Sequence, residues 1–166
     1  FGGIGKDFVK ISKHLFEKVI CFDPFVSKDE MEKFKVDKMN FNEIPKLCDF
    51  LVILCDLNEK TRGIIDSTFI DKMKSSSYLI NLSRGPVVNE NDLITSLRQN
   101  KIAGVGLDVM TNEPIEENNE LLNLKNTILT PHSLCWTDEC FNAIAIEAIP
   151  SILNYFNKKN ILNRVV

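Results

Sequence analysis

The run Phe50-Leu51-Val52-Ile53-Leu54 decides the fold. It is continuously apolar, with no polar residue at alternate positions, so as a strand it is buried on both faces. That is the pattern of a parallel sheet covered by helices rather than of a half-solvated antiparallel one. Working outward, the same kind of run recurs. Upstream lies Val19-Ile20-Cys21-Phe22, ended by Asp23-Pro24. Downstream come Tyr78-Leu79-Ile80-Asn81-Leu82, the glycine-rich stretch from Ile102 to Val109, and Thr127-Ile128-Leu129-Thr130. Helical patterns separate these runs. Phe8, Ile11, Leu15 and Phe16 recur at helical spacing, a polar helical stretch covers Lys28 to Phe34, and a helix is expected from about Glu90 to Gln99. Asn89 is its predicted N-cap, with Asp92 three residues later. A last helix is expected from Thr137 to about Phe156, with Pro150 kinking or interrupting it. Buried strands alternating with helices predict an α/β fold with a doubly wound parallel sheet and right-handed crossovers.

Length and composition agree with one globular domain. A chain of 166 residues, 44% hydrophobic and 26% charged, excludes disordered, collagenous and low-complexity classes. No apolar run approaches the roughly 20 residues of a membrane helix. The net charge of −3 is spread along the chain, so no basic face for nucleic acid or a membrane surface is expected. The 5 cysteines, Cys21, Cys48, Cys55, Cys135 and Cys140, are odd in number and scattered, without a C-x-x-C pair. That argues against a disulfide scaffold or a structural zinc site, predicts no metal, and points to a reducing, cytoplasmic compartment.

In parallel α/β sheets ligands bind at the carboxyl ends of the strands. Asp23, Cys55, Ser83-Arg84, Asp108 and His132 all follow such ends and form a candidate rim. The opening Phe1-Gly2-Gly3-Ile4-Gly5 adds a glycine cluster directly before a helical pattern and a strand. Asp23 lies 18 residues after Gly5 and 21 after Gly2, where the dinucleotide fingerprint places its acidic residue, about 20 residues on. Glycines let backbone N–H groups approach a pyrophosphate at a helix N-terminus. A carboxylate at the second strand end accepts bonds from ribose hydroxyls and repels a 2′-phosphate, so Asp23 argues for NAD. If Gly2 and Gly5 are the second and third glycines of the fingerprint, the first glycine and the first strand precede Phe1. The sequence then reads as an incomplete Rossmann-like domain with its first strand missing.

Further motifs follow in order: Ile80-Asn81-Leu82-Ser83-Arg84-Gly85-Pro86-Val87-Val88, Gly104-Val105-Gly106-Leu107-Asp108-Val109, Glu113-Pro114 and Leu129-Thr130-Pro131-His132. This set closely resembles the D-isomer-specific 2-hydroxyacid dehydrogenases over nearly the whole chain. The resemblance implies an NAD-binding Rossmann domain over residues 1–133. It implies that 134–166 return to a substrate domain outside this sequence, with Asn160 to Val166 like the family's closing strand region. Small 2-keto or D-2-hydroxy acids are the implied substrates, as in glyoxylate/hydroxypyruvate reductases or phosphoglycerate dehydrogenases, and a homodimer is the implied assembly.

The resemblance assigns Arg84, Glu113 and His132 to catalysis. His132 would be the acid, since histidine titrates near neutrality. Glu113 would hold its other ring nitrogen, and Arg84 would grip the carboxylate or polarise the carbonyl with a planar guanidinium. Cofactor contacts carry over to Gly2, Gly3, Ile4, Gly5, Asp23, Cys55, Asp56, Thr61, Leu82, Ser83, Arg84, Asp108 and His132. Taken singly, each has a plain alternative: Arg84 a solvated turn residue, Glu113 one charge of an acidic loop, His132 a capping residue, Asp108 a strand-end turn. Their joint order points to a site. Asp56 departs from the family's frequent proline, adding a second carboxylate near the nucleotide. Trp136 is open between core packing and pocket shaping. The competing reading is an NADH-binding sensor or corepressor-like module without turnover. A third is that these 166 residues alone are marginally stable and inactive.

Overall fold

The computed structural model describes residues 1–161, in two compact units, 1–131 and the described residues from 132 to 161. The stretch from Leu162 to Val166, which holds most of the expected closing strand, lies outside the described residues.

The first unit begins with helix α1, Gly3–Ser12, and strand β1, Ile20–Cys21. Helix α2, Lys28–Glu32, is capped by the Ser27 hydroxyl, which accepts from the Glu30 amide at 3.2 Å. Strand β2, Asp37–Lys38, pairs in parallel with β1, Ile20 opposite Asp37. After α3, Ile44–Leu47, come β3, Phe50–Ile53, α4, Ser67–Ile70, and β4, Tyr78–Asn81. Helix α5, Glu90–Arg98, β5, Gly104–Leu107, and β6, Thr127–Leu129, complete the unit. The strands β3-β4-β5-β6 form one 4-stranded sheet in that order, every pair parallel. The run from Phe50 is thus a parallel strand, as expected, but the two-sided burial expected of it is reached only at Ile53; Phe50 is exposed and Leu51 and Val52 are half-buried.

Register explains one glycine of the β5 strand. Phe50, Tyr78 and Gly104 stand in one row across β3, β4 and β5. The Phe50 and Tyr78 rings stack at 5.5 Å, and a Cβ on Gly104 would meet the Tyr78 ring at 3.3 Å and the Asn126 carbonyl at 2.8 Å. Beneath the sheet, Ile70, Leu79, Leu93, Leu97, Ile102 and Leu121 are buried together; each such aliphatic side chain contributes about 1.5–3 kcal/mol. A smaller cluster of Val9, Met31 and Val36 joins α1, α2 and the start of β2, with Phe1 and Phe34 edge to face at 5.4 Å. Phe41 links the two sheets, touching Phe22 at 5.3 Å and Phe69 at 4.9 Å.

Helix α5 starts where expected: the Asn89 side chain accepts from the Asp92 amide at 3.3 Å. The Asp92 carboxylate in turn accepts from the Ser67 amide at 2.9 Å, tying α5 to α4. The expected strand from Ile102 to Val109 shortens to Gly104–Leu107. The helix expected through Phe16 ends at Ser12, whose hydroxyl donates to the Phe8 carbonyl at 2.7 Å.

The second unit is helix α6, Asp138–Phe156, with its leader. Thr137 caps it by accepting from the Cys140 amide at 3.2 Å. The expected interruption at Pro150 does not occur. The helix continues through Pro150 over its 19 residues, although the proline cannot donate its amide bond and its ring crowds the carbonyl four residues back. None of its residues is buried. Among the described residues, no helix is long and apolar enough to cross a membrane, and no group of three His, Cys, Asp or Glu side chains could hold a metal ion.

Candidate active site

The carboxyl ends of β3 and β4 and the first turn of α1 enclose a cleft of about 550 Å³. Ile4 forms one wall, the Leu54–Leu57 segment after β3 a second, and Leu82, Ser83 and Arg84 after β4 a third. Six of the residues singled out from sequence therefore meet in one place: Ile4, Cys55, Asp56, Leu82, Ser83 and Arg84. Leu54 and Leu57 join them without having been singled out, since two leucines beside an apolar strand carry no distinguishing signal.

Each wall has a local cause. The β4 strand ends in Asn81, 1% exposed, whose side chain shapes the turn that follows. Its Oδ1 accepts from the Ser83 amide at 3.1 Å and the Ser83 hydroxyl at 3.0 Å, while its Nδ2 donates to the Arg84 carbonyl at 3.0 Å. A polar side chain closing an apolar strand was the sequence signal for this role. Arg84 is exposed and donates one N–H from Nη1 to the Ser83 carbonyl at 2.7 Å. A guanidinium has five such donors, and Arg84 lines the cleft. On the β3 side, Thr61 organises the loop: its hydroxyl donates to the Asp56 carbonyl at 2.7 Å and accepts from the Asn58 amide at 2.8 Å. Asn58 also donates to the Asp56 carboxylate at 2.9 Å. Cys55 is exposed by surface area, but desolvation by its partial burial pushes its thiol above the ordinary value.

Gly2 is the extended N-cap of α1, and Gly3 and Gly5 lie in its first turn. That turn has neither a side-chain cap nor an acidic residue, so its N–H groups are left to another acceptor. Asp23 lies two residues past β1 and accepts from the Phe25 amide at 2.8 Å.

Asp108 follows β5 directly, is 5% exposed, and accepts from the Thr130 hydroxyl at 2.6 Å, which joins the ends of β5 and β6. Glu113 lies on the loop beyond it and accepts from the Met110 amide at 2.9 Å. This loop is pressed onto the Arg84 turn. A Cβ on Gly85 would stand 1.9 Å from the Met110 carbonyl oxygen. The backbones of Arg84-Gly85 and Met110-Thr111 are therefore in contact, and only glycine permits it. His132 opens the second unit, with a positive φ of 52°.

An unblocked helix N-terminus, a carboxylate past the next strand end and a cleft between strand ends suit the phosphates and ribose of a dinucleotide. Together with the parallel sheet they define a dinucleotide-binding α/β domain. Comparison with known proteins narrows this class. The family model for the D-isomer specific 2-hydroxyacid dehydrogenase NAD binding domain matches residues 1–133. The human glyoxylate reductase/hydroxypyruvate reductase is 37% identical over 125 residues, covering 75% of this chain and 38% of that protein. The D-3-phosphoglycerate dehydrogenase of Methanocaldococcus jannaschii is 34% identical over 166 residues, covering 98% of this chain and 32% of that protein. The crystal structure of D-lactate dehydrogenase with NAD+ from Lactobacillus jensenii shares the fold, with a TM-score of 0.89 at 22% identity, covering 99% of this chain and 53% of that one. The chain belongs to the D-isomer specific 2-hydroxyacid dehydrogenase family and carries its NAD-binding domain. It spans between about a third and two fifths of the length of the curated relatives it matches.

Proposed function

We propose that this chain is the nucleotide-binding part of an NAD-dependent oxidoreductase moving a hydride between the nicotinamide and a small 2-keto or D-2-hydroxy acid. The observation that carries the reading is the Gly85–Met110 contact, which sets the Arg84 turn against the loop bearing Glu113 beside the cleft. When bound, the reduced nicotinamide supplies the hydride. The chain's own residues supply position and charge. The Arg84 fork takes the substrate carboxylate, His132 gives the proton to the keto oxygen, and Glu113 favours the protonated imidazole. Gly2 to Gly5 receive the pyrophosphate and Asp23 the adenosine ribose. Cys55, Asp56, Thr61, Leu82, Ser83 and Asp108 complete the cofactor wall. Residues 1–133 act as the nucleotide domain and 134–166 lead to a substrate domain. Five unpaired thiols support a cytoplasmic setting, and Ile11 and Leu15, 80% and 78% exposed, offer apolar surface for a homodimer.

The test follows NADH absorbance with glyoxylate, hydroxypyruvate, pyruvate and larger 2-keto acids, using protein expressed from its complete reading frame. One of these acids is turned over, and His132→Ala lowers kcat by about 100-fold or more while NADH affinity is kept. Turnover that survives His132→Ala removes the acid from His132. Silence on every acid, with NADH still bound, favours a sensor or corepressor-like module instead.

A further inference from the structure

Glu113 sits on an acidic loop. Residues 110–119 contain Glu113, Glu116 and Glu117 and no lysine or arginine, so their charges repel one another. The backbone contact at Gly85 fixes one end. A side chain from α5 fixes both. Glu90, half-buried in the first turn of α5, accepts from the Thr111 amide through Oε2 at 3.2 Å and from the Asn119 side-chain amide through Oε1 at 2.8 Å. One carboxylate thereby ties the start and the end of the Glu113 loop to a helix. The geometry requires a carboxylate. Two N–H donors arrive on separate oxygens, and a glutamine would aim its own NH₂ at one of them. Asn119 cannot turn its amide to compensate, because its Oδ1 already accepts from the Leu121 amide at 2.9 Å.

We infer that Glu90 is a positioning residue that clamps the 111–119 loop and so holds Glu113 against the Arg84 turn; this rests on the role proposed for Glu113. The experiment compares Glu90→Gln, Glu113→Gln and the double variant in protein from the complete reading frame. Hydrogen exchange across residues 110–119 becomes at least tenfold faster in Glu90→Gln, with β4 unaffected. Asn119→Ala, which removes the partner and leaves Glu90 in place, gives the same acceleration. Unchanged exchange in both overturns the clamp. In turnover, Glu90→Gln lowers kcat about tenfold, shifts NADH affinity less than twofold, and costs nothing further once Glu113 is glutamine. Equal fractional losses in both backgrounds show Glu90 acting independently of Glu113 and overturn the inference. Glu113→Gln with full turnover and an unchanged pH profile removes the role of Glu113 and the inference with it, while the exchange rates still report whether the clamp exists.

Discussion

Two glycine sites in the first unit look alike in sequence and differ in structure. At Gly85 an added Cβ meets the Met110 carbonyl oxygen at 1.9 Å and its carbon at 2.0 Å. At Gly2 and Gly3 it meets nothing within 4 Å. Gly85 is glycine because the protein packs against itself there. Gly2 and Gly3 have no such internal reason, and Gly2, at φ −78°, has a backbone that any residue can adopt. Space that the fold does not use is space that a ligand can use. The difference separates a glycine fixed by internal packing from glycines whose surroundings are open.

The sharpest way to break that comparison is Gly85→Ala. The methyl group collides with backbone, which cannot swing aside as a side chain would. Overpacking of this kind costs about 3 kcal/mol. For a domain near this size that lowers Tm by roughly 6–12 °C. It also moves the Glu113 loop off the Arg84 turn, so turnover is lost along with stability. A variant that melts with the parent and turns over normally would show that the contact is not needed.

Gly2→Ala is the opposite case. Alanine is a poorer N-cap than glycine, so stability falls by no more than about 1 kcal/mol, and the melt barely moves. NADH binding weakens by tenfold or more, because the methyl occupies the ground a pyrophosphate needs. Titration of nicotinamide fluorescence reads the affinity. Undiminished binding would mean that the empty space at Gly2 serves no ligand.

The contrast also explains what could be read from sequence. The apolar runs at Phe50, Tyr78 and Thr127 announce strands because an apolar composition is visible in a window of a few residues. The two-residue strand β2 and the four-residue helices α3 and α4 are too short to show a period. Pro150 gives a local signal that the rest of α6 overrides. At the site, residues that follow strand ends were legible because topology places ligands there. Asn81 carries no assigned role although its partners Ser83 and Arg84 are local, and Glu90 carries none because its partners are set by tertiary contact. Glu90 meets Asn119 across 29 residues of chain, and no short-range pattern encodes that pairing. Gly85 was legible as part of a motif, but the reason for it, a backbone 1.9 Å from where its Cβ would be, belongs to the folded state.

The smallest effect lies at the same end of α1 as the open glycines, where Lys6 ties the helix to α2. Glu30 of α2 accepts from Lys33 at 2.8 Å and from Lys6 of α1 at 2.9 Å. The bond from Lys33, then that from Lys6, lowers its carboxyl from the ordinary 4.5 to about 2. A carboxylate with a depressed value contributes stability above its unfolded pKa and loses it as pH falls through the folded one. The contribution is therefore complete at neutral pH, declines below about 4.5 and is gone near 2. Both lysines are solvated, so the pair is screened and salt weakens it. Glu30→Gln accordingly lowers the neutral-pH melt slightly and flattens, by the same small amount, the fall in stability between pH 4.5 and 2 relative to the parent. The carboxyl titration followed by NMR reads the same quantity directly. A Glu30 that titrates at its ordinary value would show that α1 is held by Val9 and its apolar neighbours alone, and that the ion pair to Lys6 adds nothing to how the glycine turn is presented.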